Sequence, residues 1–144
     1  MGLTEADFEI LLKEGTLSAE FGEHREAIEN YDKAIKIMEN AEVYLNKGDS
    51  LMALELFKDA IENYDKAISF DPNDSLIWYN KGVALTDLEE ISNAIQCYEK
   101  AIEIDSDYAD AWYNKGELLK HQGLNDQATI CFDKVNKLES KENK

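Results

Sequence analysis

Proline is nearly absent from this 144-residue sequence, with Pro72 standing alone, and glycine occurs only seven times. An all-β fold, which turns about every ten residues, draws heavily on both, so that class is excluded. Cysteine is equally scarce. Cys97 and Cys131 stand 34 residues apart, and two cysteines do not complete a zinc site. Positive charge is also short: 15 Lys and Arg face 31 Asp and Glu, for a formal net charge of −16. Nucleic acid and anionic membrane surfaces are held by basic faces, so neither is expected as a partner. No stretch approaches the run of about 18 apolar residues that spans a bilayer. Residues 1–10 lack the basic-then-apolar layout of a secretory signal. Met1-Gly2 opens like a myristoylation site, but Ala6 stands where that motif needs Ser or Thr. The expectation is a cytoplasmic protein.

The residues that are present suit a helical protein. Hydrophobic side chains make up 44% and charged ones 32%, a balance too apolar for disorder. The order of these residues is repetitive. AIENYDKAI occurs at Ala27–Ile35 and again at Ala60–Ile68; AIQCYEKAI follows at Ala94–Ile102 and ATICFDKVN at Ala128–Asn136. The starts are 33, 34 and 34 residues apart. A second element precedes each copy: LLKEG at Leu11–Gly15, YLNKG at Tyr44–Gly48, WYNKG at Trp78–Gly82 and again at Trp112–Gly116. Two ordered elements at one period indicate one structural unit used four times. The units run about 8–40, 41–74, 75–108 and 109–142, and together they predict a single domain over residues 1–144.

Each unit reads as two helices. Ala60, Ile61, Tyr64, Ala67 and Ile68 fall on one face of a 3.6-residue helix, with Glu62, Asn63, Asp65 and Lys66 opposite. Trp78, Gly82 and Leu85 do the same in the first element of the third unit, and short polar connections such as 87–90 separate the two elements of a unit. Glycine inside a helix costs up to about 1 kcal/mol relative to alanine. Its recurrence as Gly15, Gly48, Gly82 and Gly116 therefore predicts close helix packing at that point. Trp78, Trp112, Tyr31, Tyr64, Tyr98 and Phe132 are the candidate aromatic core. Equivalent residues of stacked repeats lie about 8–10 Å apart, beyond the roughly 7 Å Cα separation of a disulfide. Cys97 and Cys131 are therefore expected to remain reduced.

With its aromatic, Gly, Ala and aromatic positions at this period, the sequence resembles the tetratricopeptide repeat family over about residues 8–142. The signature falls on Trp78, Gly82, Ala94, Tyr98 and Ala101 in the third unit, and on Tyr44, Gly48, Ala60, Tyr64, Ala67 and Pro72 in the second. It departs from the pattern in placing Glu14, Lys47, Lys81 and Lys115 before the glycine, where leucine is usual, and in carrying Ser106 at the proline position. A lysine stem still covers apolar surface while its ammonium reaches water. The resemblance implies an all-α fold, a right-handed α-α superhelix of four tandem helical hairpins. In it the first helix of each hairpin lines a concave groove and the second forms the outer wall. It implies a non-catalytic scaffold or adaptor whose groove receives a peptide or helix of another protein. The alternative is a self-assembling structural module without a dedicated ligand.

No catalytic constellation competes with that reading. His24 and His121 lie near opposite ends of the chain in no metal-binding spacing, neither cysteine has a neighbouring histidine, and phosphate-binding glycine loops are absent. No cofactor is expected. On the family's geometry Asn46, Asn80 and Asn114 form a row along the groove, and an amide offers both a donor and an acceptor to a peptide backbone. Packing within the repeat is the competing role. Tyr79 and Tyr113 each follow a signature Trp by one residue, about 100° around the helix, which turns them toward the groove. Val83, Asp49 and Glu117 complete the candidate contact set.

The family's basic clamp for a C-terminal carboxylate maps onto Leu12, Thr16, Asn46, Leu76 and Asn80, or onto Leu45, Asp49, Asn80, Asp110 and Asn114. Neither set contains a basic residue. The implied partner is a peptide with apolar anchors and some positive charge. A final expectation concerns the last unit. Nothing long enough to cap it follows, so Ala128, Cys131, Phe132, Val135 and Leu138 are expected to leave an apolar face for a weak homodimer through the C-terminal repeat.

Overall fold

The computed structural model describes residues 2–144, and among these the secondary structure is eight α-helices. They are α1 (Glu5–Glu20), α2 (His24–Ile35), α3 (Ala41–Ala53), α4 (Phe57–Phe70), α5 (Ser75–Asp87), α6 (Ile91–Ile104), α7 (Ala109–His121) and α8 (Asn125–Glu142). Two compact units divide the chain, Met1–Pro72 and Asn73–Lys144. Within the first, α1 pairs with α2 and α3 with α4, and α2 packs on α3; within the second, α5 pairs with α6 and α7 with α8, and α6 packs on α7. The fold class is the all-α helical repeat.

Local chemistry starts and stops these helices. Thr4 and Asp7 form a capping box at α1: Asp7 N–H donates to Thr4 Oγ1 at 3.3 Å, and Thr4 N–H donates to Asp7 Oδ2 at 2.7 Å. Accepting that backbone hydrogen bond holds the Asp7 carboxyl below its ordinary range. At α3, Val43 N–H donates to Asn40 Oδ1 at 2.9 Å, and at α5, Leu76 N–H donates to Asp74 Oδ1 at 3.0 Å. The turn inside each hairpin is a Schellman motif, in which two backbone N–H groups satisfy carbonyls of the helix just ended. In the second hairpin Glu55 N–H donates to Met52 O and Leu56 N–H to Leu51 O, both at 2.9 Å. The motif needs a left-handed residue. Gly22 and Gly123 supply it with φ of 79° and 81°, whereas Glu55 and Glu89 adopt φ of 59° and 61°. Only the glycines do so without steric cost.

The core of each hairpin is an aromatic ring seated on a glycine. A Cβ added to Gly15 would lie 2.5 Å from Tyr31 Cε1. At Gly48 and Tyr64 the distance is 2.6 Å, and at Gly82 with Tyr98 and Gly116 with Phe132 it is 2.7 Å. Ala27, Ala60, Ala94 and Ala128 are buried one helical turn earlier, and Tyr31, Tyr64 and Tyr98 are almost wholly enclosed. The glycines thus exist to admit a ring rather than to bring two bare backbones together. Three of the expected core aromatics, Trp78, Trp112 and Phe132, are partly rather than wholly buried, and the residues enclosed beside the tryptophans are their predecessors Ile77 and Ala111. Trp112 and Phe132 still pack against the cluster of Leu119, Ala128 and Cys131. Lys81 Nζ stands 5.7 Å and Lys115 Nζ 5.8 Å from the Trp78 and Trp112 ring centroids.

Those lysines also account for the departure from leucine before the glycine. Lys47 Nζ meets Asp32 at 2.6 Å, tying α3 to α2, and Lys115 Nζ meets Glu99 at 3.5 Å, tying α7 to α6. Lysine here joins a first helix to the preceding second helix, and in the fourth hairpin its ammonium also stands over the Trp112 ring. Cys97 and Cys131 are buried and form no disulfide, and burial pushes the Cys131 thiol up. The apolar face expected at the C-terminal repeat is not open. Ala128, Cys131, Val135 and Leu138 are buried, and Phe132 is half-buried against Gly116, because the stripe turns inward onto α7.

Candidate functional site

The candidate contact residues fall on the first helices of the hairpins, and the two units hold them separately. In the first unit Asn46 and Asp49 of α3 face α1 across a pocket of about 250 Å³, lined also by Thr16, Glu20, His24, Tyr31 and Ser50. Helix spacing accounts for this: Asn46, Asp49 and Ser50 sit at i, i+3 and i+4, on one face. Asp49 is engaged within the fold, since Tyr64 Oη donates to its Oδ1 at 2.6 Å. Polar side chains rim the pocket, and Tyr31 is among its lining residues. Burial raises the Tyr31 and Tyr64 phenols above their ordinary value, and the Asp49 charge adds to the rise at both.

In the second unit Val83, Asn114 and Glu117 surround a smaller pocket of about 150 Å³, together with Thr86, Asp87, Tyr98 and Leu118. Tyr79 stands beside it. Its hydroxyl accepts from Asn114 Nδ2 at 3.1 Å, and its ring lies 5.0 Å from Tyr108 in a stacked pair and 5.7 Å from Tyr98. Burial also raises the Tyr79 phenol, and Asp110 adds to the rise. Tyr113 leans on Phe132 with centroids 5.8 Å apart, and 48% of its surface is exposed. Asn80 is half-buried on α5.

The second unit therefore gathers Tyr79, Val83, Asn114 and Glu117 into one patch and leaves Tyr113 on its own ring pair. Sequence spacing missed the partners that shape these pockets. Tyr98 and Thr86 enclose the second one, with 3.2 Å between their hydroxyl oxygens, and Tyr31 and Ser50 enclose the first. Thr86 sits at i+4 from the seating glycine, where its Oγ1 also donates to Gly82 O at 2.8 Å. That position repeats as Ala19, Met52 and Lys120, so no periodicity marks it.

Comparison with known proteins agrees with this architecture. The sequence matches the TPR repeat over residues 48–88 and 84–123, and the tetratricopeptide repeat over residues 109–142. Those matches cover well over half of the chain. The chain belongs to the tetratricopeptide repeat family. No curated protein matches it. Among solved structures, a crystal structure of MamA superposes with a TM-score of 0.92 at 28% identity, over 94% of this chain and 80% of that one. YrrB, described as a TPR protein with an unusual peptide-binding site, gives 0.83 at 22% identity, over 94% of this chain and 71% of that one. The first TPR of Spaghetti, bound to the HSP90 peptide SRMEEVD, gives 0.80 at 18% identity, over 84% of this chain and 97% of that one. The last two likenesses speak to the fold alone. Among the described residues of this tetratricopeptide repeat protein, no helix is long and apolar enough to cross a membrane.

Proposed function

We propose that this protein is a non-catalytic interaction module that holds an extended or helical segment of another protein against the first helices of its hairpins. The observation that carries the reading is the patch of Tyr79, Val83, Asn114 and Glu117: an amide, an aliphatic surface and a carboxylate line one pocket, and the half-buried Tyr79 phenol is hydrogen-bonded to that amide beside it. Such a mixture suits a peptide with an apolar anchor and a positive group, and the pocket's acidic members are Asp87 and Glu117. The peptide-bound Spaghetti repeat and the peptide site named for YrrB support the use of this fold for binding.

The mode we propose does not depend on a C-terminal carboxylate. Asp49 and Asp110 occupy clamp positions that would repel one, and no basic side chain stands at the others. The four hairpins are proposed to act as one domain, and the protein is proposed to work in the cytoplasm. A homodimer through the C-terminal repeat is disfavoured in this reading, because the apolar residues it would use are buried. Affinity capture with the wild type and the Asn80→Ala/Asn114→Ala variant in parallel tests the proposal. Partners retained by the first and lost by the second, at unchanged helicity, support it. Identical capture by both proteins contradicts it.

A further inference from the structure

Repeat equivalence exposes a second surface. Ile10 and Leu17 of α1 are the counterparts of Val43 and Ser50 in α3, and of Ala111 and Leu118 in α7. The counterparts are covered, with exposures of 0%, 1%, 0% and 8%. Ile10 and Leu17 are 56% and 46% exposed, and Phe21, at the end of the same helix, is 79% exposed. At 100° per residue these three lie within about 40° of one another, so they form one apolar stripe. Ile10 and Leu17 also line an open groove of about 520 Å³. In α3 and α7 the cover is the second helix of the preceding hairpin, α2 or α6. Ile95 of α6 packs beside the covered stripe of α7, on the cluster of Leu119 with Ala128 and Cys131 of α8.

The sequence and charge around the stripe say what fits it. Each of the first three second helices carries an isoleucine pair seven residues apart: Ile28 and Ile35, Ile61 and Ile68, Ile95 and Ile102. In α8 the pair is replaced by Thr129 and Asn136, so the chain's own last helix does not offer the matching face to another copy. Glu9, Glu20 and Glu42 rim the groove against Lys13, the one basic residue of α1. A second copy, at a net charge of −16, would be repelled from such a rim.

We propose that the open face of α1 docks a basic amphipathic helix of another protein, seated on Ile10 and Leu17 as α2 is seated on α3. This goes beyond the peptide-binding reading: its apolar seat, Ile10 and Leu17, takes no part in that reading, although Glu20 rims both pockets. The probe is a hydrocarbon-stapled peptide of the α2 sequence with Glu26, Glu29 and Asp32 replaced by lysine, titrated by fluorescence anisotropy. Saturable one-to-one binding is expected. It should weaken at least about tenfold on the Ile10→Ser/Leu17→Ser variant. These side chains are exposed, so the variant should keep its helicity by circular dichroism. The peptide with the original acidic residues, and the lysine peptide with Ile28→Asn and Ile35→Asn, should each bind at least about tenfold more weakly too. The Asn80→Ala/Asn114→Ala variant should bind the probe normally, which separates this site from the proposed peptide groove. Equal binding by the α1 variant, by the acidic peptide or by the asparagine peptide would overturn the proposal. So would sedimentation showing that the protein itself dimerises and that the α1 variant does not, because the occupant would then be a second copy.

Discussion

Replacing Gly82 by alanine isolates the contact on which each hairpin is built. On propensity alone the change should stabilise α5 by about 1 kcal/mol. The new Cβ, however, would lie 2.7, 2.9 and 3.0 Å from three ring atoms of Tyr98. That ring is 1% exposed and is flanked by Tyr79, so it has nowhere to swing. Overpacking of this kind costs about 1–3 kcal/mol, and three simultaneous contacts place it near the top of that range. The net expectation is a loss of about 2 kcal/mol, or roughly 5–10 °C in Tm. Urea denaturation followed by tryptophan fluorescence suits the test, since Trp78 and Trp112 both lie in the unit that contains Gly82. The decisive control is a double-mutant cycle. Tyr98→Ala alone should cost about 3–5 kcal/mol. In that background Gly82→Ala should become stabilising by about 1 kcal/mol, because the ring it collides with is gone. Gly82→Ala stabilising both backgrounds alike would refute the seating argument.

Three other outcomes are expected. Glu55→Gly and Glu89→Gly should each raise stability by up to about 1 kcal/mol in thermal melts, by relieving left-handed backbone at the hairpin turns. Asn40→Ala should lower it by about 1 kcal/mol, through loss of the hydrogen bond from Val43 N–H that starts α3. Alkaline pH should unfold the protein. Burial first, and the Asp49 charge second at Tyr64, raise the folded values of Tyr64 and Tyr98. Their contribution is therefore complete below the ordinary phenol value of about 10 and is lost as pH climbs above it. Phenolate absorbance should accordingly rise together with loss of helicity, and full titration of a still-helical protein would contradict the account.

Much of the fold was legible because helical repeats write each contact several times. The recurrence of AIENYDKAI and of the glycine located both helices of each hairpin, and the seated rings lie where those motifs meet. Burial was less legible. Trp78 and Trp112 read as core by residue type; both are only partly buried, Trp112 against the cluster of Leu119, Ala128 and Cys131, while the fully enclosed positions are Ile77 and Ala111, one residue earlier on the helix. Composition does not reveal that a lysine covers an indole. The C-terminal stripe failed for a similar reason: periodicity gives a face but not the direction in which it points, and α7 occupies it. For the candidate site, Asn114 and Glu117 follow from the repeat, whereas Tyr98 and Thr86 share their pocket only through tertiary packing. The hydrogen bond between Asn114 and Tyr79 joins two hairpins, and single-residue patterns do not encode it.

The central claim is recognition of a peptide by these first helices without a carboxylate clamp. Calorimetry on the peptide mapped from a captured partner tests it most directly, comparing the free-acid and amidated forms against the wild type and the Asn80→Ala/Asn114→Ala variant. The account predicts equal affinity for the two forms on the wild type, and at least about tenfold weaker binding of both on the variant. A requirement for the free carboxylate, or unchanged affinity on the variant, would contradict it.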